Sequence, residues 1–187
     1  MKNWLSTIKS NVKNKNDEII SQLYSNLLQF VVEDEYRGGC HDTSAIFHII
    51  LKELGIENVL CIGEVKTGEL YFDHSWVEID GKIYDIAICM PLEGTLWHPP
   101  VFASIDLDSK NETELGYGTH SPVGFDEPAR TIAQINLGTY ALGDSNPNRM
   151  WFMMEQFASD LGYEMDAQDL SLKYASSYRV LRGNSLQ

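Results

Sequence analysis

The sequence predicts an α+β chain in which one apolar helix lies on an antiparallel sheet and further helices follow. Three observations predict it. Apolar residues recur at helical spacing from Ile19 to Val31 and again, more densely, from Ala45 to Leu54. Three strand-like runs then fall between Asn58 and Cys89, joined by short turn signals. Beyond Asn146 the helical spacing returns.

The elements follow in order. Trp4, Leu5 and Ile8 predict a short amphipathic helix in an otherwise polar start. A helix is expected from about Asp17 to Val32, capped by Asn16 or Asp17. Gly38-Gly39 allows a sharp turn into a helix from Cys40 to Leu54, with Asp42 complementing the positive end of its dipole and Gly55 just past its end. That helix is apolar nearly all round, which predicts burial. Strands are expected over Asn58–Val65, Leu70–Ile79 and Lys82–Cys89, with Asp80-Gly81 as a type I′ hairpin turn. Residues 91–128 are broken by prolines and glycines, with one further strand near Val101–Ile105. A strand or short helix is expected over Thr131–Leu137. Helices over residues 146–161 and 166–179 complete the chain, and Met150, Trp151, Met153, Met154 and Phe157 read as a core stripe.

Totals bound the function. A chain of 187 residues that is 43% hydrophobic suits one domain over 1–187, with a core at about 17–90 and a C-terminal extension, 91–187, packed on it. The formal net charge of −13 repels phosphate backbones and anionic lipid, so neither nucleic acid nor membrane is an expected partner. Cys40, Cys61 and Cys89 form no disulfide pattern. The first residues lack an apolar secretory run, and the expected compartment is the cytoplasm. No Cys-x-x-Cys or His-Glu-x-x-His pattern occurs, and His41 and His48, seven apart on one helical face, do not make a metal site. No cofactor is expected. The sequence leaves the oligomeric state open.

The chemistry concentrates between Gly38 and Ile88. Cys40 opens a helix, where unpaired N–H groups and positive potential favour a thiolate and can receive an oxyanion. Gly38 and Gly39 let a substrate backbone approach. If Ile79 pairs with Lys82, counting back pairs Trp76 with Asp85 and His74 with Ala87, so these four share one face. His74 and Asp85 then become diagonal neighbours, roughly 5.5 to 8 Å apart at the backbone. A carboxylate there can hold one imidazole nitrogen and leave the other for a thiol. The candidate catalytic residues are therefore Cys40, His74 and Asp85, with Gly38, Gly39, His41 and Trp76 as candidates on the substrate side. His98 and His120 fall in loop-like sequence and read as solvated.

This order resembles the transglutaminase-like branch of the papain-like cysteine enzymes, in which a Cys at a helix start is followed by His and Asp on successive antiparallel strands. The segment from His74 to Glu78 and from Asp80 to Asp85 carries the resemblance, which covers about residues 36–88. His41 stands where many transglutaminases have Trp, and the compact His-to-Asp spacing suits the small bacterial members. The resemblance implies a papain-like fold and a Cys thioester acting on an amide or peptide bond of a peptide, protein or small amide, as protease, deamidase or transglutaminase. Arg37-Gly38-Gly39-Cys40 is also similar to the arylamine N-acetyltransferases, one residue short of their spacing. A catalytically idle relative that binds a peptide or protein in the same groove is the other alternative.

Overall fold

The computed structural model describes residues 1–183. Its elements run α1 (Lys2–Ser10), α2 (Lys15–Glu33), α3 (Cys40–Glu53), β1 (Val59–Thr67), β2 (Leu70–Ile79), β3 (Lys82–Tyr84), β4 (Val101–Phe102), β5 (Ile105–Asp106), β6 (Gly116–Tyr117), α4 (Glu127–Gln134), α5 (Leu137–Leu142), α6 (Arg149–Asp160), α7 (Ala167–Tyr174) and β7 (Val180–Arg182). The chain is α+β, as the sequence predicts.

Five strands form the main sheet, in the order β3-β2-β1-β6 with β7 also on β1. β1 and β2 pair antiparallel along their whole length, from Val59↔Glu78 to Thr67↔Leu70. The other edge of β1 is shared. Antiparallel β6 takes Val65 and Lys66, and β7 takes Cys61 to Gly63 in parallel. The expected sheet is wholly antiparallel; β7 corrects that, and it arises where the final predicted helix, 166–179, ends early at Tyr174. At the β2–β3 turn, Asp80 and Gly81 sit at φ 50° and 73°. Two positive φ values are what a type I′ turn requires.

The third predicted strand is much shorter than expected. It stops at Tyr84, opposite Val77. The Asp85 amide and carbonyl turn instead to Val101, at 2.8 and 2.9 Å. Residues Ala87–Cys89 then coil into a 3₁₀ turn. Elsewhere the bounds move for local reasons. Asn14, rather than Asn16 or Asp17, caps α2 by accepting the Asp17 amide at 3.0 Å, a bond worth about 1 kcal/mol. The strand expected near 101–105 is a tight hairpin, β4 and β5, turned by Ala103 and Ser104 at φ 52° and 64°. Residues 131–137 hold the end of α4 and the start of α5, two short helices whose N-caps, Asp126 and Asn136, each accept a backbone amide of the first turn.

One apolar cluster runs from Ile8 in α1 through α2, α3 and the sheet to Leu170 in α7. In α3 itself Ala45, Ile46, Phe47, Ile49, Ile50 and Leu51 are fully buried. This is the burial its all-round apolar sequence predicts, and truncating such a side chain costs about 2–5 kcal/mol. Met150, Trp151, Met154 and Phe157 of α6 join the same cluster, while Phe152 faces out. α3 is thus held between the sheet on one side and α2 and α6 on the others, which fixes where its first residue, Cys40, lies. Among the described residues no helix is long and apolar enough to cross a membrane.

Candidate active site

Cys40 is half-buried at the first position of α3. The approach to it needs both glycines. Gly38 has φ 68° and donates its amide to the Met90 carbonyl at 2.9 Å; a Cβ there would meet Leu92 at 2.6 Å. A Cβ on Gly39 would meet the Tyr36 ring at 2.3 Å. Gly39 is the N-cap residue, and its carbonyl accepts from the Thr43 amide at 2.9 Å and the Thr43 hydroxyl at 2.8 Å. Side chains cap the starts of α2, α4, α5 and α7, but none caps α3. Its first N–H groups therefore remain available to an anion beside the sulfur.

His74 and Asp85 meet as expected, though not by the expected register. His74 Nε2 lies 2.9 Å from each Asp85 carboxylate oxygen. β3 ends before Asp85 can pair with Trp76, and Ala87 lies in the 3₁₀ turn, so neither the Trp76–Asp85 nor the His74–Ala87 pairing forms. The bond to Val101 swings Asp85 out of the ladder. Three donors then hold its carboxylate: His74, the Ile88 amide at 3.3 Å and the Tyr117 hydroxyl at 2.8 Å.

Electrostatics ties this pair to the cysteine. Burial by itself would lower the His74 pKa. The charge of Asp85, and after it Cys40 by charge and by hydrogen bonding, outweighs burial and holds the imidazole well above its ordinary value. With Nε2 committed to Asp85, Nδ1 is the nitrogen left for the sulfur.

The remaining candidates divide. His41 turns its Nδ1 to the Ser75 hydroxyl at 2.7 Å and its ring to Tyr140. Burial, then Arg179 and His74, push its pKa down to about 3, so it is a neutral group. Trp76 is only 1% exposed; its ring packs on Tyr117 and its indole N–H donates to Glu78 at 3.1 Å. It therefore acts here as the support under Tyr117. His48 bonds Asn58. His120 is 3.7 Å from Glu64. His98 departs from the solvated reading: it is half-buried and stacks on Phe72, whose ring also lies 5.8 Å from His74. Among the described residues no group of three or more His, Cys, Asp or Glu is placed to hold a metal ion.

Sequence reasoning missed Tyr117, Tyr140, Arg149 and Arg179. Asp42, in the first turn of α3, accepts from Tyr140 at 2.8 Å, from Arg149 at 2.8 Å and from Tyr36. This network locks the start of α3 to α5 and α6. It borders a cavity of about 310 Å³ lined by Asp42, Tyr140, Arg149, Ile132, Ile135 and Met150 among others. A tyrosine in a loop or short helix carries no periodic signal, so only the folded partners reveal these roles. Compared with protein-family models, with curated proteins and with solved structures, the chain matches none.

Proposed function

We propose that this chain is a cysteine acyl-transfer enzyme of transglutaminase-like, papain-like type, acting on an amide or peptide bond. Cys40 is the nucleophile, His74 the proton carrier and Asp85 the group that orients His74. The observation that carries this reading is the His74 imidazole held by Asp85 at 2.9 Å through one nitrogen, on the strand packed against the helix that Cys40 opens. Sulfur attacks the carbonyl carbon, and the uncapped start of α3 receives the developing oxyanion. The C–N bond breaks as His74 gives its proton to the departing amine, leaving a thioester on Cys40. Water or an amine then attacks that carbonyl and loses its proton to His74. The C–S bond breaks and the sulfur is restored. Water as acceptor gives hydrolysis or deamidation; an amine gives cross-linking. Tyr117 belongs to the same unit, because its hydroxyl donates to an oxygen of the carboxylate that holds His74 and so helps fix that carboxylate's orientation.

The test is turnover on glutamine-containing peptides, read as ammonia release and as incorporation of a fluorescent primary amine. The wild-type chain is expected to turn over at least one such peptide, and Cys40→Ala none. Undiminished turnover in Cys40→Ala removes the reading.

A further inference from the structure

Residues 86–100 leave Asp85 and come back to it. The 3₁₀ turn at Ala87–Cys89 opens this loop, and the paired hydrogen bonds between Asp85 and Val101, at 2.8 and 2.9 Å, close it. On the way it passes the approaches to Cys40 and His74. The Met90 carbonyl accepts the Gly38 amide at 2.9 Å, and the Leu92 side chain packs directly on Gly38, two residues before Cys40. At the far end His98 stacks on Phe72 with ring centroids 5.8 Å apart, and Phe72 meets His74 edge-on at 5.8 Å. The loop therefore rims the candidate site from the approach to the sulfur to the neighbour of the imidazole.

What the loop shows to solvent is apolar. Leu92, Leu96 and Trp97 are all exposed, Leu92 most of all at 63%. A turn holds them there: the Leu92 carbonyl accepts from the Thr95 amide at 3.1 Å and from the Thr95 hydroxyl at 2.6 Å, with Gly94 at φ 81°. Apolar residues exposed singly are ordinary. Among the described residues no other stretch as short exposes three large ones, and a grouped apolar surface marks a place where something docks. A second copy of the chain, or a resident partner, seated here would shut the approach to Gly38 and Cys40. The occupant that keeps the site usable is one that comes and goes, the substrate.

Resting on the proposed function, we propose that Leu92, Leu96 and Trp97 form the specificity lip of this site and receive a large apolar side chain flanking the reacting amide of the acyl donor. Apart from the Trp97 indole N–H, these side chains offer no hydrogen bond. What they offer is apolar surface to bury, so they select by size and hydrophobicity. Leu92 acts at the closest range, because it lies on the glycine where the donor backbone approaches. Trp97 stands at the His74 end of the loop. Glu93 on the same loop, in a chain of formal net charge −13, disfavours an acidic flank.

The test uses glutamine-containing peptides in which each position flanking the glutamine is in turn Phe or Ser. Ammonia release gives kcat/KM, and fluorescence anisotropy of labelled peptides on Cys40→Ala gives Kd without turnover. At one flanking position or more, wild type should prefer Phe by roughly tenfold in kcat/KM, and Cys40→Ala should show the same preference in Kd. Leu92→Ala and Trp97→Ala should each cut that ratio several-fold, while Leu92→Met, which keeps the apolar bulk, should retain it. The ratio is read within one preparation, so a smaller folded fraction cancels. No preference for Phe at any position, or a preference that survives both alanine variants, overturns the inference alone. A wild-type dimer in sedimentation that Leu92→Ala dissociates gives the lip to a second copy and likewise overturns it. A Phe preference in binding with no turnover in wild type supports the lip and overturns the enzyme reading. Neither binding nor turnover overturns both.

Discussion

Asp42 and Asp85 invite comparison because they are built from nearly the same parts. Both are buried, at 6% and 2% exposed. Each accepts a hydroxyl at 2.8 Å, from Tyr140 and Tyr117 respectively. Each also takes a basic nitrogen, Arg149 Nη2 at 2.8 Å for Asp42 and His74 Nε2 at 2.9 Å for Asp85. The difference lies in the base. A guanidinium keeps its proton at every pH the fold survives, so the Asp42 cluster can only hold elements together. An imidazole exchanges its proton near neutrality, so the same carboxylate geometry at Asp85 can govern a proton transfer. One aspartate anchors the start of α3 to α5 and α6; the other tunes the ring beside the residue that α3 presents.

Exchanging roles breaks the comparison most sharply at Asp85. Asp85→Asn should leave the fold intact and cut turnover by roughly 10³- to 10⁴-fold, since the amide no longer holds the productive tautomer. It should also change the pH dependence of stability. The raised His74 pKa means the folded chain holds this proton more tightly than the unfolded one. That contribution is complete below about pH 6.5 and fades as pH rises through the higher folded-state value. Thermal melts from pH 6 upward should show the decline in wild type and a flatter line in Asp85→Asn. An unchanged slope would mean that Asp85 does not set the His74 proton.

At the other aspartate the expected effect is on stability. Arg149→Met removes the cation from Asp42 while Tyr36 and Tyr140 remain. The Arg149 side chain is 36% exposed. The loss should therefore fall short of a fully buried pair, at about 2–3 kcal/mol, or roughly 5–10 °C in melting temperature. A melting temperature within a degree of wild type would show the network to be dispensable. The smallest change is Tyr117→Phe, which deletes one hydroxyl from Asp85. It should cost about 1 kcal/mol of stability, or roughly 2–4 °C in melting temperature, and roughly fivefold in turnover. A loss as large as that of Asp85→Asn would instead make Tyr117 a direct participant.

Much of this site was legible in the chain because its signals are local. Gly38-Gly39-Cys40 before an apolar run marks a helix start, and Asp80-Gly81 between alternating strands marks a hairpin. Together they bring His74 and Asp85 to the two arms of one hairpin, Asp85 just past the end of β3. The register differs from the expected one because the apolar pattern continues through Ala87 whereas β3 ends at Tyr84. The competing hydrogen bonds join Asp85 to Val101, in a predicted strand whose partner no local pattern specifies. The short strands β6 and β7 escaped for a related reason: two or three residues carry no alternation to detect.

By itself the sequence determined which residues open helices, where the hairpin turns and which face of each long element is apolar, since these depend on neighbours a few positions away. Only the tertiary structure decided that Tyr117 would reach Asp85 across 32 positions, Tyr140 Asp42 across 98 and Arg179 the His41 carbonyl across 138. Those partnerships are set by how helices and strands pack. A polar side chain acquires its role from what burial places beside it.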